Sequence, residues 1–386
     1  MNYRLRKRNG LAMMLVLSVL AFVAVMGFAM LSGAALQAQS SRNSSLAVEA
    51  DALAESGIDL AYFYLLYPHR APSPPAKNSL WGGATGITFG ASVPGSVDVV
   101  VTSLGSGNYS VQATGKRAGA DGAVVKRQAN ATAHVDPGFQ MKAAAATAGN
   151  TVLSLYTTIN GDLQSGGNIT NNGKITGTAI TSNAPLGTGI ITGGWTTPTS
   201  NNTSPVPNSS KLTDYSTYKY QGVTYSAATI TTLASNTTLG PTPTNPAGIY
   251  KCTGNLNMGS NVTINGTLIV EGGVLNVNGG NNFINPASGF PAAILKSDLV
   301  VVGPGTPRNV SFNGLTWVGG AVKSSGVITN AAYVDFNASV LFGGSSSISL
   351  TFLGKVDVSS DPEKVVGVEL DKTVTPAAVT VLSYKQ

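Results

Sequence analysis

"INGTLIVEGG", Ile264–Gly273, joins an apolar residue, an Asn-Gly corner, a short strand-forming run and a Gly-Gly pair. The same form returns in "INGDLQSGG" from Ile159 and in "FNGLTWVGG" from Phe312. Between and after them lie "AAILKSDLVVVGPG" from Ala292 and "AYVDFNASVLFGG" from Ala332. From Thr267 to Ser339 the strand starts recur about every 23 to 25 residues, the period of a solenoid repeat. One such rung cannot bury its apolar face alone, and stacked neighbours complete the core. Asn and Gly suit the corners because they tolerate left-handed backbone. Asn repeated from rung to rung can also bond to itself in ladders. The pattern predicts a right-handed parallel β-helix or related β-solenoid over roughly 140–195 and 245–355.

Around that core the chain divides as follows. Residues 138–195 are a first solenoid part and 248–355 carry the main rungs. Residues 196–247, with "TTPTSNNTSPVPNSS", read as a linker or an excursion over the solenoid side. The alternating tail within 356–386 is expected to supply capping strands, because an open terminal rung aggregates.

The chain has 386 residues, 46 of them Gly, with 10% charged residues, 42% hydrophobic residues and a mean hydropathy of +0.15. That balance argues against a helical globular enzyme and against a charged disordered chain. The net charge is +6, but Arg4, Arg6, Lys7 and Arg8 cluster at the start and the other bases are scattered. This is a membrane-orienting cluster, and no nucleic-acid partner is expected. The one cysteine, Cys252, and two histidines, His69 and His134, give no disulfide, no metal site and no cofactor. Cys252 sits in an alternating stretch and reads as a small buried hydrophobe. The repeat offers only isolated acids, Asp162, Glu271, Asp298 and Asp335. Of these, Asp298 and Asp335 lie near corresponding positions of different rungs. No catalytic residues are assigned, and the chain is read as a non-enzyme. Trp195, Trp317 and Tyr333 either stack on a surface glycan or are buried against the rungs.

The N-terminus, "RLRKRNGLAMMLVLSVLAFVAVMGFAMLSGAALQAQ" from Arg4 to Gln39, has no Asp, Glu, Lys or Arg between Asn9 and Ser41. As a helix, 11–36 spans roughly 39 Å and crosses a bilayer core of about 30 Å. The basic cluster keeps its start in the cytoplasm. A secretory signal cut near Ala35 or Ala38 is the alternative, though the apolar run is long for one. Leu46, Ala50, Leu53, Gly57, Leu60 and Tyr64 continue an apolar seam at helical period, and Asp51, Glu55 and Asp59 share a polar face. Pro68 stops the helix, so 11–67 is one element roughly 85 Å long. Residues 80–137 then carry three alternating runs, "SVDVVVTSLG", "GNYSVQATGKRAG" and "AVVKRQANATAHVD". They read as a small antiparallel β module that covers the helix seam. Lys116, Arg117, Lys126 and Arg127 read as protective charges at its edge. The fold class is α+β: a long membrane helix, a small antiparallel module, then a mostly-β solenoid.

The start of the chain resembles the class III leader of type IV pilins and pseudopilins. A short basic leader, 1–10, ends in Gly10, and the apolar helix begins at once with Leu11. The "ALAESGIDLAY" segment resembles the N-terminal regions of PilX-type minor pilins, with Ala54, Glu55, Gly57, Ile58 and Ala61 on the pattern and Ser56 departing from it. Asn9 stands where Lys or Arg is usual. Leu15 stands at the fifth position of the mature chain, where major pilins carry Glu. The repeat resembles, more loosely, bactofilin-like polymer-forming β-solenoids. The resemblance implies a prepilin peptidase that cuts between Gly10 and Leu11, with other pilins or pseudopilins and the inner membrane as partners. It implies subunit contacts at Leu15, Glu55 and Asp59; for the two acids, solvation of an exposed helix face is the competing reading. It also implies a place in the inner membrane before assembly and at the cell surface or in the periplasm afterwards. A membrane-anchored adhesin outside any pilus, and an exported β-helix carbohydrate enzyme, are the alternatives.

Overall fold

The computed structural model describes residues 5–67, 70–71, 81–90, 92–105, 107–119, 122–136, 141–200, 202–303, 307–326, 331–350, 354–361, 364–365, 368–372 and 378–385, with helix side chains from Met13 onward. Two compact units emerge. One is Met1–Phe63 with Gly82–Ala133 and Val381–Gln386; the other is Tyr64–Trp81 with His134–Thr380.

The first unit is built on one helix, α1, Leu5–Leu66. Its 62 residues make it roughly 93 Å long. An antiparallel sheet packs on its C-terminal half. The strands are β1 (Gly83–Ile87), β2 (Ser96–Gly105), β3 (Asn108–Ala118), β4 (Val124–Asp136) and, at the edge beside β4, the C-terminal strand Ala378–Lys385. Alternate sheet residues, Val97, Val99, Val111, Ala113, Ala129, Ala131 and Ala133, are buried. On the helix Ala50, Leu53, Ala54, Ile58 and Ala61 are buried, and Ala50, Leu53 and Ala54 lie against Gly115 of β3. The expected seam therefore holds at Ala50, Leu53 and Gly57, then shifts away from Leu60 and Tyr64, which stay half-buried. The cause is geometric. A strict 4-3 spacing has period 3.5, and on a straight helix of period 3.6 it drifts about 20° per heptad off the contact face.

Small residues let helix and sheet approach closely. A Cβ on Gly57 would lie 2.5 Å from a Val97 methyl, and one on Gly115 would lie 2.0 Å from the Ala50 carbonyl oxygen. Two of the charges expected at the sheet edge, Arg117 and Arg127, are instead tied to the helix. Arg117 pairs with Glu49, Arg127 lies 3.9 Å from Asp51, and Lys116 pairs with Asp98 on β2.

The second unit is a stack of parallel strands in sheets of ten, nine and seven strands. This is the β-solenoid expected from the repeat, with one difference in its order. Along the ten-stranded sheet the strands run Ala228–Thr229, Ile249–Cys252, Thr267–Val270, Ala293–Leu295, Thr316–Val318, Val340–Phe342, and only then Ala145–Thr147, Leu163–Ser165, Ala179–Ile180 and Trp195–Thr196. The earlier part of the chain thus stacks on the later part. Val340, Leu341 and Phe342 pair in parallel with Ala145, Ala146 and Thr147; the other two sheets make the same joint through Ile348–Leu153 and Val358–Ile159. The rungs also differ in size. The partners Ala145, Leu163, Ala179 and Trp195 follow at roughly 16 to 18 residues, while Leu268, Ala293, Thr316 and Val340 follow at roughly 23 to 25.

The inner core holds the stacked rings of Phe312 and Phe336, 5.2 Å apart, with Leu153, Ile159, Leu163, Ile264, Leu268 and Phe342 fully buried. The outer side of the ten-stranded sheet forms a second core. There Ile269, Ile294, Trp317, Leu341 and Ala146 are covered by Leu212, Tyr215 and Tyr218 and by Val365, Val368 and Leu370. The excursion therefore lies along the solenoid side. Trp317 Nε1 donates to the Pro207 carbonyl at 3.0 Å, and Gln164 Nε2 donates to the Ser204 carbonyl at 3.0 Å. Within it Thr217–Tyr220 and Val223–Ser226 form a hairpin, and the first rung strands already begin at Ala228 and Thr238.

Among the described residues, the two strands of the tail do not cap the stack. Gly354–Ser359 is an internal strand of the nine-stranded sheet, between Ala332–Phe336 and Thr157–Asn160, and Ala378–Lys385 joins the antiparallel sheet. Alternation identifies a strand but carries no information about which neighbour it pairs with.

Asparagine ladders run down the corners. Asn285 Nδ2 donates to Asn265 Oδ1 at 3.1 Å, Asn313 to Asn285 at 2.6 Å, and Asn337 to Asn313 at 2.9 Å. These are the Asn residues that follow the apolar residue of each repeat. A second ladder, Asn281 to Asn261 to Asn236, has bonds of 3.0 and 2.9 Å, and all three residues have positive φ near 60°. Asn313→Ala removes two ladder bonds and strands two amide partners. It is expected to cost about 1–2 kcal/mol. Denaturant unfolding of the purified chain, followed by far-UV circular dichroism, measures this.

Candidate assembly helix and solenoid charges

The first half of α1 has no cover among the described residues. Leu15, Phe22 and Phe28 are 62%, 64% and 73% exposed, and the rest of the apolar run is similar. The stretch from Met13 has a mean hydropathy of 2.6 over its most apolar window and is long and apolar enough to cross a membrane. Arg6, Lys7, Arg8, Gly10 and Leu11 lie on the helix, whose backbone continues unbroken through Gly10. Arg4 and Pro68 fall outside the described residues. Leu15 projects from this bare segment. Glu55 and Asp59 are exposed on the half that carries the sheet. The nearby Tyr62 phenol is raised above its usual range by burial and then by the Asp59 charge.

On the solenoid the structure does not bring Asp298 and Asp335 together. Asp298 precedes a strand of the seven-stranded sheet; its carboxylate accepts from Ala321 N at 2.8 Å and pairs with Lys323 at 2.5 Å. Asp335 lies in the nine-stranded sheet, where it accepts from Ser311 Oγ at 3.3 Å and is in register with Asp357 on the next rung. Burial, and then the charge of Asp357, push its carboxyl above the usual range. Asp162 caps the next rung by accepting from Thr178 N at 3.0 Å. Glu271 bridges Lys251 and Lys296, at 3.0 and 3.1 Å. Cys252 is 2% exposed, with its sulfur against the Gly254 carbonyl. Trp317 is buried, whereas Trp195 and Tyr333 remain 47% and 43% exposed.

Lys251 also reaches Asp214 on the excursion at 3.0 Å. The Ser216 hydroxyl, and then the Lys251 ammonium, hold the Asp214 carboxyl down to about 2 from 3.8. A carboxyl lowered on folding adds stability above its unfolded pKa and loses it as the pH falls through the folded one. Asp214→Asn is therefore expected to lower Tm at pH 5, and the gap to the parent closes between about pH 4 and pH 2. Paired melting curves across that range test it.

No family model matches the chain, and no curated protein matches it. Among solved structures it is similar to the competence-associated pilin ComZ from Thermus thermophilus. The identity is 13%, over 88% of this chain and 97% of that one, with a TM-score of 0.34. At that level the two chains share too little geometry for residue roles to pass between them.

Proposed function

We propose that the chain is a structural, membrane-inserted pilin-type subunit, a minor pilin or pseudopilin. A prepilin peptidase cuts it between Gly10 and Leu11. It then enters, or tips, a type IV pilus or type II secretion-like filament and displays its β-solenoid outside. The observation that carries this reading is α1 itself, a single helix with a bare apolar half and a half clamped to a sheet. A fully buried Leu or Phe is worth about 1.5–3 kcal/mol, so a run this long needs a cover. A bilayer supplies it before assembly, and a bundle of like helices supplies it afterwards. The leader bases orient the N-terminus to the cytoplasm. Leu15 offers no carboxylate to a neighbouring N-terminal amine, which suits a rare or terminal subunit better than a repeating one.

The role is structural rather than catalytic. Asp162, Glu271 and Asp298 are each committed to a backbone amide or a lysine of a neighbouring rung. The competing reading, an uncut membrane anchor carrying a surface adhesin, differs at Gly10. Mass spectrometry of the N-terminus, after expression with and without an active prepilin peptidase, separates the two. The pilin reading expects a start at Leu11 that depends on the peptidase. An intact leader overturns it, and a cut near Ala35 or Ala38 points to a secreted solenoid.

A further inference from the structure

The outer side of the nine-stranded sheet differs from that of the ten-stranded sheet. On the ten-stranded sheet the chain buries its own aromatics, Trp317, Tyr215 and Tyr218. On the nine-stranded sheet the tyrosines are left bare. Tyr333 is in register with Lys355, and Val356 N donates to the Tyr156 carbonyl at 3.2 Å, which makes Tyr156 the next step of the same column. Tyr333 and Tyr156 are 43% and 49% exposed. The residues that follow each member of the column, Val334, Val356 and Thr157, are buried, so the column faces outward. Two rung spacings, roughly 9.6 Å, separate the two tyrosines along the backbone stack. The adjacent column runs from the buried Ser311 through Asp335, Asp357 and Thr158 to Lys174.

We propose that this face binds a neutral oligosaccharide lying along the stack. Tyr333 and Tyr156 are stacking platforms, and Asp335 and Asp357 accept hydrogen bonds from sugar hydroxyls between them. The spacing of the two tyrosines is close to the length of a disaccharide unit, so alternate pyranose faces meet a ring. A phenol ring offers an apolar face and a polar tip, the combination a pyranose needs. The carboxylates lie beside the ring column with two lysines: Lys355 pairs with Asp357, and Lys174 lies two rungs from Asp357 in the same column. With two carboxylates and two lysines the face carries no net charge to attract an acidic glycan, which suits a neutral one. Burial first, and then the charge of Asp357 one rung away, raise the Asp335 carboxyl above its usual range, a perturbation of the kind found at functional surfaces.

The inference builds on the solenoid being displayed outside. Its test on the purified full chain stands or falls separately from cleavage at Gly10. The detergent-solubilised chain is titrated calorimetrically with cellohexaose, with N-acetylchitohexaose and with an oligogalacturonate. At least one neutral oligosaccharide is expected to bind. Tyr333→Ala and Tyr156→Ala each weaken that binding about tenfold, while Tyr333→Phe retains it. Tyr384→Ala, at a tyrosine equally exposed on the antiparallel sheet, leaves it unchanged. Three results would overturn the proposal: no neutral oligosaccharide binds, the two alanine variants bind like the parent, or oligogalacturonate is preferred. Asp357→Asn, which keeps the shape of the face, gives a second reading through its loss of affinity if an alanine variant misfolds.

Discussion

Gly115→Val is expected to pull the long helix off its sheet. The new Cβ would lie 2.0 Å from the Ala50 carbonyl oxygen, 2.7 Å from Ala54 N and 3.0 Å from Leu53 Cβ. Two of those atoms are helix backbone and cannot swing aside as a side chain would. Overpacking typically costs 1–3 kcal/mol, and a backbone clash places this variant at about 3 kcal/mol or more. Domains are stable by only about 5–15 kcal/mol, so the antiparallel unit loses much of its margin. Hydrogen exchange on the purified chain should show protection lost across 46–66 and 96–118 and kept in the solenoid. Gly82→Ala, where nothing lies within 4 Å, serves as the neutral control. Equal exchange in parent and Gly115→Val would mean that helix and sheet are not in close contact.

The second large effect tests the order of the rungs. Phe342 is fully buried in the rung on which Ala145–Thr147 stacks. Phe342→Ala removes a core ring and costs about 3–5 kcal/mol. Solenoid stability is mostly a sum of nearest-neighbour terms, so the loss is local along the stack. Residues 145–171 are expected to lose exchange protection together with 316–348, although they lie far upstream in the chain. Residues 249–270, several rungs away, keep theirs. If 145–171 were untouched, the joint between the two chain segments would be wrong.

These cases show which parts of the fold were legible in the sequence. The helix was, because a long uncharged run and a helical seam leave few other structures. The seam's exact face was not, because a 4-3 spacing and a straight helix drift apart over two turns. The rungs and the Asn ladder were legible, since Asn265, Asn313 and the Asn-Gly corners repeat the same local requirement. Asn160 carries that motif too, but its partner across the joint is Ser359, so there the ladder gives way to another residue. The order of the rungs was hidden. Every rung satisfies its neighbours in the same way, and periodicity does not say which rung sits above which. The C-terminal strand was misplaced for the same reason. At the candidate surfaces, the bare helix followed from composition, whereas composition left open whether Tyr333 would be exposed or buried. The Arg117–Glu49 and Arg127–Asp51 pairs did not, because they join residues distant in sequence. The column of Tyr333 and Tyr156 was equally hidden, since it exists only once the early segment stacks on the late one.

If α1 carries this chain into a filament that displays the solenoid, the chain belongs in the surface filaments of the cell. The most direct test is to shear surface filaments from cells that make the full chain with its own pilins and an active prepilin peptidase. The sheared fraction is then probed with an antibody to residues 249–302. The chain is expected to appear in that fraction, to start at Leu11, and to be absent when the peptidase is inactive. A chain that stays in the membrane fraction with its leader intact, whether or not the peptidase is active, would contradict it.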